Sequence, residues 1–231
     1  MGKPVAIVFG VGAELGLGAA LCRRFAKEGH HVLVAGRTTA KIEQVVRTIA
    51  AGGGSAEPLV TDVTKEQDVI AAFDRAMSPG AGREPADLVT YNAGNNRHID
   101  FRELSAELFE DFWRIGCFAG FLVGREAARR LVPLGRGTVL FTGASGSLRG
   151  KPGFAHFAVA KAGLRMLAQS MAREFGPHGI HVVHVVIDGG IDGERLRRLR
   201  PEMVSERGAD GLLNVDAIAE TYWHLHLSLI H

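Results

Sequence analysis

Gly12, Gly16 and Gly18 follow a short apolar run, residues 5–9, and precede an apolar helical pattern that continues through Leu21, Phe25 and Ala26. Residues of these types at this spacing could hold a phosphate. Unpaired N–H groups at a helix N-terminus point outward, and the helix dipole adds partial positive charge there. Glycines let the backbone turn and let a pyrophosphate approach without a Cβ in the way. The cradle is therefore read over Gly12, Glu14, Leu15, Gly16, Leu17 and Gly18. Glu14 is open to two readings: a carboxylate that repels phosphate, or one that accepts a bond from a ribose hydroxyl.

A dinucleotide site needs a group for the adenosine ribose about twenty residues further on. Arg37 stands there, followed by Thr38 and Thr39. A guanidinium suits a 2′-phosphate, so the expected cofactor is NADP, with NAD as the alternative. Asp62 could accept a bond from the adenine amino group with Val63 backing the ring, or help start the next helix at Thr64. Asn92, Ala93 and Gly94 follow a fourth apolar run. Their small side chains would let the backbone approach a cofactor, and Asn92 could tie neighbouring strand ends together.

Lys161 stands on the long helix expected at 153–175. One helical turn before it, on the same helix face, stands Phe157. Phenylalanine has no exchangeable proton and cannot act as a general acid or base. The chain has two tyrosines, Tyr91 and Tyr222, neither near Lys161 in sequence. Tyr91, beside Asn92, is a second-rank substitute donor. His156 lies about 100° around the helix from Phe157 and is either a donor or a surface or interface histidine. His181 and His184 fall on opposite faces of a strand, so with His178 they make no metal-ligand cluster. The sequence reading assigns no metal.

Strands are expected at residues 5–9, 31–35, 57–61, 87–91, 138–142 and 181–187. Helices are expected at 15–28, from a Thr38 cap to 50, from a Thr64 cap to 77, from Ser105 to 131, and at 153–175, 194–207 and 216–227, with a Pro/Gly-rich loop at 79–85. Strands alternating with helices imply a three-layer α/β/α Rossmann-type fold with a doubly wound parallel sheet. Such sheets bind ligands beyond the carboxyl ends of their strands, where strand order reverses. Every group named above follows a strand, so all could line one crevice.

In order and spacing, Gly12-Ala13-Glu14-Leu15-Gly16-Leu17-Gly18, Asp62, Asn92-Ala93-Gly94, Lys161 and the strand before Asp188-Gly189 resemble the classical short-chain dehydrogenase/reductase family over residues 3 to 193. The resemblance implies a nicotinamide cofactor, a small-molecule substrate, and a homodimer or homotetramer built on the two long helices. It also implies an Asn–Ser–Tyr–Lys tetrad, from which this chain diverges. Phe157 takes the tyrosine position and Cys117 the asparagine position. The serine position falls on Ala144, with Ser145 adjacent. Lys161 and Ser145 are therefore the expected catalytic residues, and the resemblance implies that Lys161 also bonds the ribose hydroxyls of the nicotinamide half. Gly189 is carried over as a cofactor residue, although no threonine or proline follows Asp188 up to Gly193. Asp188 and Asp192 either charge the cleft or serve turn and N-cap duty. A charged substrate lid is implied at residues 192–213.

Two readings of function result. One is an NADP-dependent oxidoreductase with a degenerate tetrad, moving hydride to or from a small carbonyl, alcohol or enone. The other is an NADP(H)-binding sensor or oligomer subunit without turnover.

At 231 residues the chain is read as a single domain, 1–231. A net charge of +2 with interspersed acids and bases gives no argument for nucleic acid or a membrane surface. Two cysteines, Cys22 and Cys117, cannot form a disulfide framework and fit a reducing, cytoplasmic setting. No last strand is evident after Tyr222. The sheet is one strand short, or residues 227–230 supply a stub, or a partner covers that edge.

Overall fold

The structure, a computed structural model, describes residues 2–208 and 210–228. Six strands form one parallel sheet in the order β3-β2-β1-β4-β5-β6. They are β1 (Lys3–Phe9), β2 (His31–Gly36), β3 (Ser55–Val60), β4 (Arg83–Tyr91), β5 (Gly137–Thr142) and β6 (Ile180–Val185). The helices are α1 (Leu17–Lys27), α2 (Thr39–Ala51), α3 (Glu66–Met77), α4 (Ala106–Trp113), α5 (Ala119–Leu131), α6 (Ala155–Phe175), α7 (Glu194–Leu199), α8 (Pro201–Arg207) and α9 (Val215–Leu227). This is the expected Rossmann-type architecture.

Both faces of a parallel sheet are covered, so its central strands read as unbroken apolar runs. Along β1, Val5, Ile7 and Phe9 face the core shared with α3, α5 and α6. Ala6 and Val8 face the opposite core, built with α1, α2 and α9. Strand order reverses between β1 and β4, which pair directly. The carboxyl ends of these two strands therefore flank a crevice.

Several boundaries differ from expectation for identifiable reasons. The stretch expected as a loop at 79–85 already pairs, because β4 begins at Arg83 opposite Lys3. The β1–β4 register is irregular between Lys3 and Val5, and Pro85, which has no N–H to give a ladder, falls in that irregularity. Helix α1 starts at Leu17 behind the N-cap Gly16, so Leu15 stays in the exposed turn. Thr64 does not cap α3. The N-cap is Lys65, and Thr64 spends its hydroxyl on Asp62 instead.

Thr38 holds the N-cap position of α2 without a side-chain bond, whereas the Ser105 hydroxyl accepts from Leu108 N as a cap should. The helical region from Ser105 contains a π-helical turn, Arg114–Phe118, between α4 and α5. Helix α6 starts at Ala155, after a left-handed Gly153. The helix expected over 194–207 is two helices. Arg200 precedes a proline and leaves the helical region at φ −142°, ψ 57°, which breaks the run. Among the described residues there is no seventh strand, and Leu227 belongs to α9. Ser228 is the C-cap of α9, and the last two residues of the expected stub, Leu229 and Ile230, lie outside the described residues.

Candidate active site

Gly10 leaves β1 in a left-handed conformation, φ +85°, and a Cβ there would collide with the backbone of Ala93. Its amide and that of Val11 both donate to Ala35 O at 3.0 Å. This close β1–β4 approach fixes where the glycine turn begins. Sequence reasoning passed over Gly10, whose signal is its place immediately after the apolar run. Gly12 faces open space. A Cβ on Gly18 would lie 3.1 Å from both Val11 Cα and Asn92 Nδ2, so α1 packs close against the strand ends.

No side chain caps α1 at Gly16, which leaves the amides of its first turn for an anionic ligand. Open space at Gly12 beside that uncapped helix fits a dinucleotide pyrophosphate. Leu17 is buried and Leu15 exposed. Glu14 is held by Arg23, which reaches its carboxylate at 2.7 Å and its carbonyl at 3.0 Å. The ion pair offsets the negative charge in the turn, and Glu14 Oε2 stays buried without a partner.

At the ends of β2 and β3, exposed Arg37 stands near Asp62. Burial acts to raise the Asp62 carboxyl. Bonds from the Thr64 hydroxyl (2.7 Å) and amide (3.1 Å), with the charge of Arg37, bring it below the usual aspartate value. Val63 is buried beside it.

Asn92 ties three strand ends together. Its Nδ2 donates to Gly10 O at 3.4 Å, and its Oδ1 accepts from Thr142 Oγ1 at 3.1 Å. Thr142 Oγ1 in turn accepts from the Tyr222 hydroxyl at 2.8 Å. Ala93 is buried and Gly94 exposed; a Cβ on Gly94 would lie 3.4 Å from Lys161 Nζ. Lys161 is 5% exposed and donates to Thr142 O at 2.7 Å. Burial lowers its pKa from the ordinary lysine value to about 8. The structure thus gathers the glycine turn, Asn92, Gly94 and Lys161 at one crevice.

The surroundings of Phe157 differ from several sequence expectations. Its ring lies against Gly146, in the short turn Ser145–Ser147 after β5. Ser145 stands beside Asp188 and, ahead of Arg149 (2.9 Å from Asp188), lowers that carboxyl below its usual value. Tyr91 is not a substitute donor. The alternation of β4 turns it fully into the core, where it donates to Ile115 O in the π-helical turn, and burial drives its pKa far up. Tyr222 is equally buried. His156 is no surface histidine: it is 1% exposed and packs on Phe112 at 4.2 Å. Burial holds its pKa below the ordinary value. The Cys117 thiol faces Gly163 of α6, and burial raises its pKa.

The segment after β6 crosses the crevice. Glu194 N donates to Leu15 O at 2.8 Å, and Arg195 reaches the Asn95 side chain and Asn96 O (3.0 Å). Asp192 pairs with Arg197 at 2.7 Å, and the N-cap of α7 is Gly193, so Asp192 does not cap it. Gly189 packs against Leu213, whose amide donates to Gly190 O at 2.8 Å. No helix among the described residues is long and apolar enough to cross a membrane.

Comparison with known proteins shows the family. The short chain dehydrogenase family pattern matches residues 5–203. Gluconate 5-dehydrogenase of Gluconobacter oxydans is 30% identical over 174 residues, 74% of this chain and 66% of that enzyme. The chain thus spans just under two thirds of that relative's length. A short-chain dehydrogenase from Rhodopseudomonas palustris superposes with a TM-score of 0.81 at 34% identity, covering 98% of this chain and 92% of the other. A gluconate 5-dehydrogenase from Burkholderia cenocepacia, solved with NADP and tartrate, shares the fold at a TM-score of 0.83 and 22% identity, over 98% and 89% of the two chains. The chain belongs to the short-chain dehydrogenase family.

Proposed function

We propose that this chain is an NADP-dependent oxidoreductase that moves hydride to or from a small carbonyl, alcohol or enone. The single domain 1–231 carries the whole site in this reading. The observation that carries it is the buried Lys161 ammonium, 2.7 Å from Thr142 O and just beneath Gly94, in the same crevice as the uncapped α1. The Burkholderia relative was solved with NADP, which supports the choice that Arg37 suggests.

A bound NADPH supplies a hydride, that is, one proton and two electrons. The chain's own residues do the rest. The amides of α1 take the pyrophosphate, with Gly12, Gly16 and Gly18 leaving room for it. Arg37 takes the 2′-phosphate, Asp62 and Val63 hold the adenine, and Lys161 donates to the nicotinamide ribose. Ala93 and Gly94 form the floor, and Leu15, Leu17 and Gly189 border the crevice.

We read Phe157 as standing where relatives carry a tyrosine acid. The phenol then being absent, the proton comes from solvent or from the Ser145 hydroxyl. A conjugated enone suits such a site. Hydride adds at the β-carbon, and the enolate takes its proton from water without a strong acid at the oxygen. We extend the reading to a reducing cytoplasm and to assembly of two or four copies through α5 and α6, where Phe121 and Met166 are exposed.

NADPH consumption across a panel of ketones and enones tests the reading. Turnover of enones above ketones supports it. Saturable NADPH binding with no turnover on any substrate replaces it with the non-catalytic binding protein. No saturable binding of either nicotinamide nucleotide removes both.

A further inference from the structure

The opposite edge of the sheet holds a cluster that the crevice does not use. His30 ends the turn before β2, Asp87 lies in β4 and His226 lies in α9. One ligand atom from each falls within 4.8 Å of the other two. His30 Nε2 is 3.0 Å from Asp87 Oδ1, and the two imidazoles sit 5.6 Å apart at 73°. We propose that these three residues form a binding site for a divalent cation of the zinc class, which clips α9 to the amino edge of the sheet.

Two imidazoles and a carboxylate are a donor set suited to zinc. Tetrahedral zinc with bonds of about 2.0–2.1 Å places its ligand atoms roughly 3.3 Å apart. The His30–Asp87 separation already meets that spacing. No pair in the cluster has to close by more than about 1.5 Å, within reach of side-chain rotation.

The surroundings orient the ligands. Val5 pairs with Ala86 and Ala6 with Leu88, so Asp87 is the extra residue of a β-bulge. Bulges re-aim a side chain, and this one delivers Asp87 to a histidine of the neighbouring turn. Thr138 Oγ1 lies 3.0 Å from His226 Nδ1 and fixes that ring, as outer partners of metal-bound histidines do. Trp223 packs on both imidazoles, at 5.7 Å and 5.1 Å, and shields them from water. His30 is 4% exposed and its Nδ1 has no partner, while the Asp87 side chain is 20% exposed and leaves a path for an ion. His181 pairs in register with Thr138, so it faces the same side, and its buried Nδ1 is unpartnered. Three ligands leave a fourth position open to water. The ligands are separated by 57 and 139 residues in sequence, so no local spacing announces them.

The test uses the full chain without an affinity tag, stripped with a chelator and titrated with Co²⁺ and with Zn²⁺. One equivalent of Co²⁺ giving the visible bands of a four-coordinate site is expected, together with a higher thermal midpoint on adding Zn²⁺. Asp87→Asn and His226→Gln should each weaken Zn²⁺ binding at least about tenfold. His224→Gln, at an exposed position of the same helix, should leave it unchanged. In the unaltered chain, Zn²⁺ should shift the ring resonances of His30 and His226. This arm decides the matter if a variant fails to fold. No saturable binding to the unaltered chain, equal binding by His226→Gln, or shifts confined to other histidines would each overturn the proposal.

Discussion

Lys161 buries its ammonium at the carboxyl edge of the sheet and donates to the carbonyl of Thr142, 2.7 Å away. A buried lysine with a lowered pKa has opposite consequences for folding and for binding. Unfolded, the side chain keeps its proton to about pH 10.4; folded, burial brings the value to about 8. Between these values the unfolded state binds more protons, so stability rises with pH through that window, and below it the buried charge is a cost. Lys161→Met should therefore melt no lower than the native chain near neutral pH and lack the rise, as read by thermal melts across about pH 6 to 10. Binding has the other sign. The charged ammonium is the stronger donor to ribose hydroxyls, so NADPH affinity should fall as pH climbs through about 8. Lys161→Met should bind about tenfold more weakly with a flat profile. Fluorescence titration that finds unchanged affinity in the variant would remove Lys161 from the cofactor site.

Cofactor choice rests on Arg37. It is exposed beyond β2, and among the described residues it has no salt bridge to occupy it. A charge-assisted bond to a 2′-phosphate contributes roughly 1.5–3 kcal/mol, about ten- to a hundredfold in affinity. Arg37→Ser should lose that much for NADPH while NADH affinity stays the same. A parallel loss for both nucleotides, measured by calorimetry, would mean that Arg37 supports the fold around Asp62 and does not select the phosphate.

Phe157→Tyr probes the missing acid directly. The native ring edge lies close to Gly146 in the turn after β5, and Lys161 is one helical turn further along α6. If the remainder of the site is set for carbonyl reduction, a restored phenol should raise kcat/KM for a ketone by about a hundredfold or more, the usual scale of general acid catalysis. An unchanged rate with intact NADPH binding would show that the substrate oxygen lies elsewhere.

What could be read from the sequence follows from how local each feature is. The strands were legible because a parallel sheet buried on both faces writes continuous apolar runs such as residues 5–9. The glycine turn was legible because pyrophosphate binding constrains neighbours in sequence. The environment of Tyr91 was not. Its position beside Asn92 suggested a site residue, and only the alternation of β4 under α5 shows that it faces inward. The π-helical turn at Arg114–Phe118 left no compositional mark. The cluster of His30, Asp87 and His226 required the fold to bring its members together. Thr64 was misplaced because Asp62, two residues earlier, competes for the same hydroxyl.

Thr142 joins these observations, because one residue serves three partners. Its hydroxyl donates to Asn92 and accepts from Tyr222, and its carbonyl holds Lys161. Thr142→Val keeps the carbonyl and much of the shape but strands the Tyr222 hydroxyl, which is fully buried, and Asn92 Oδ1. A loss of about 1–3 kcal/mol for each buried group left unpaired is expected, read as a lower midpoint in denaturant. Tyr222→Phe removes the donor together with its need for a partner and should cost only about 0.5–1.5 kcal/mol. The double variant should then be less destabilised than the sum of the two, because the second change relieves the orphan created by the first. NADPH binding by Thr142→Val should survive, since Lys161 keeps its carbonyl anchor. Strict additivity in the cycle would mean that the two hydroxyls do not share a bond, and that α9 is held to the sheet by its apolar face and its amino-edge histidines alone.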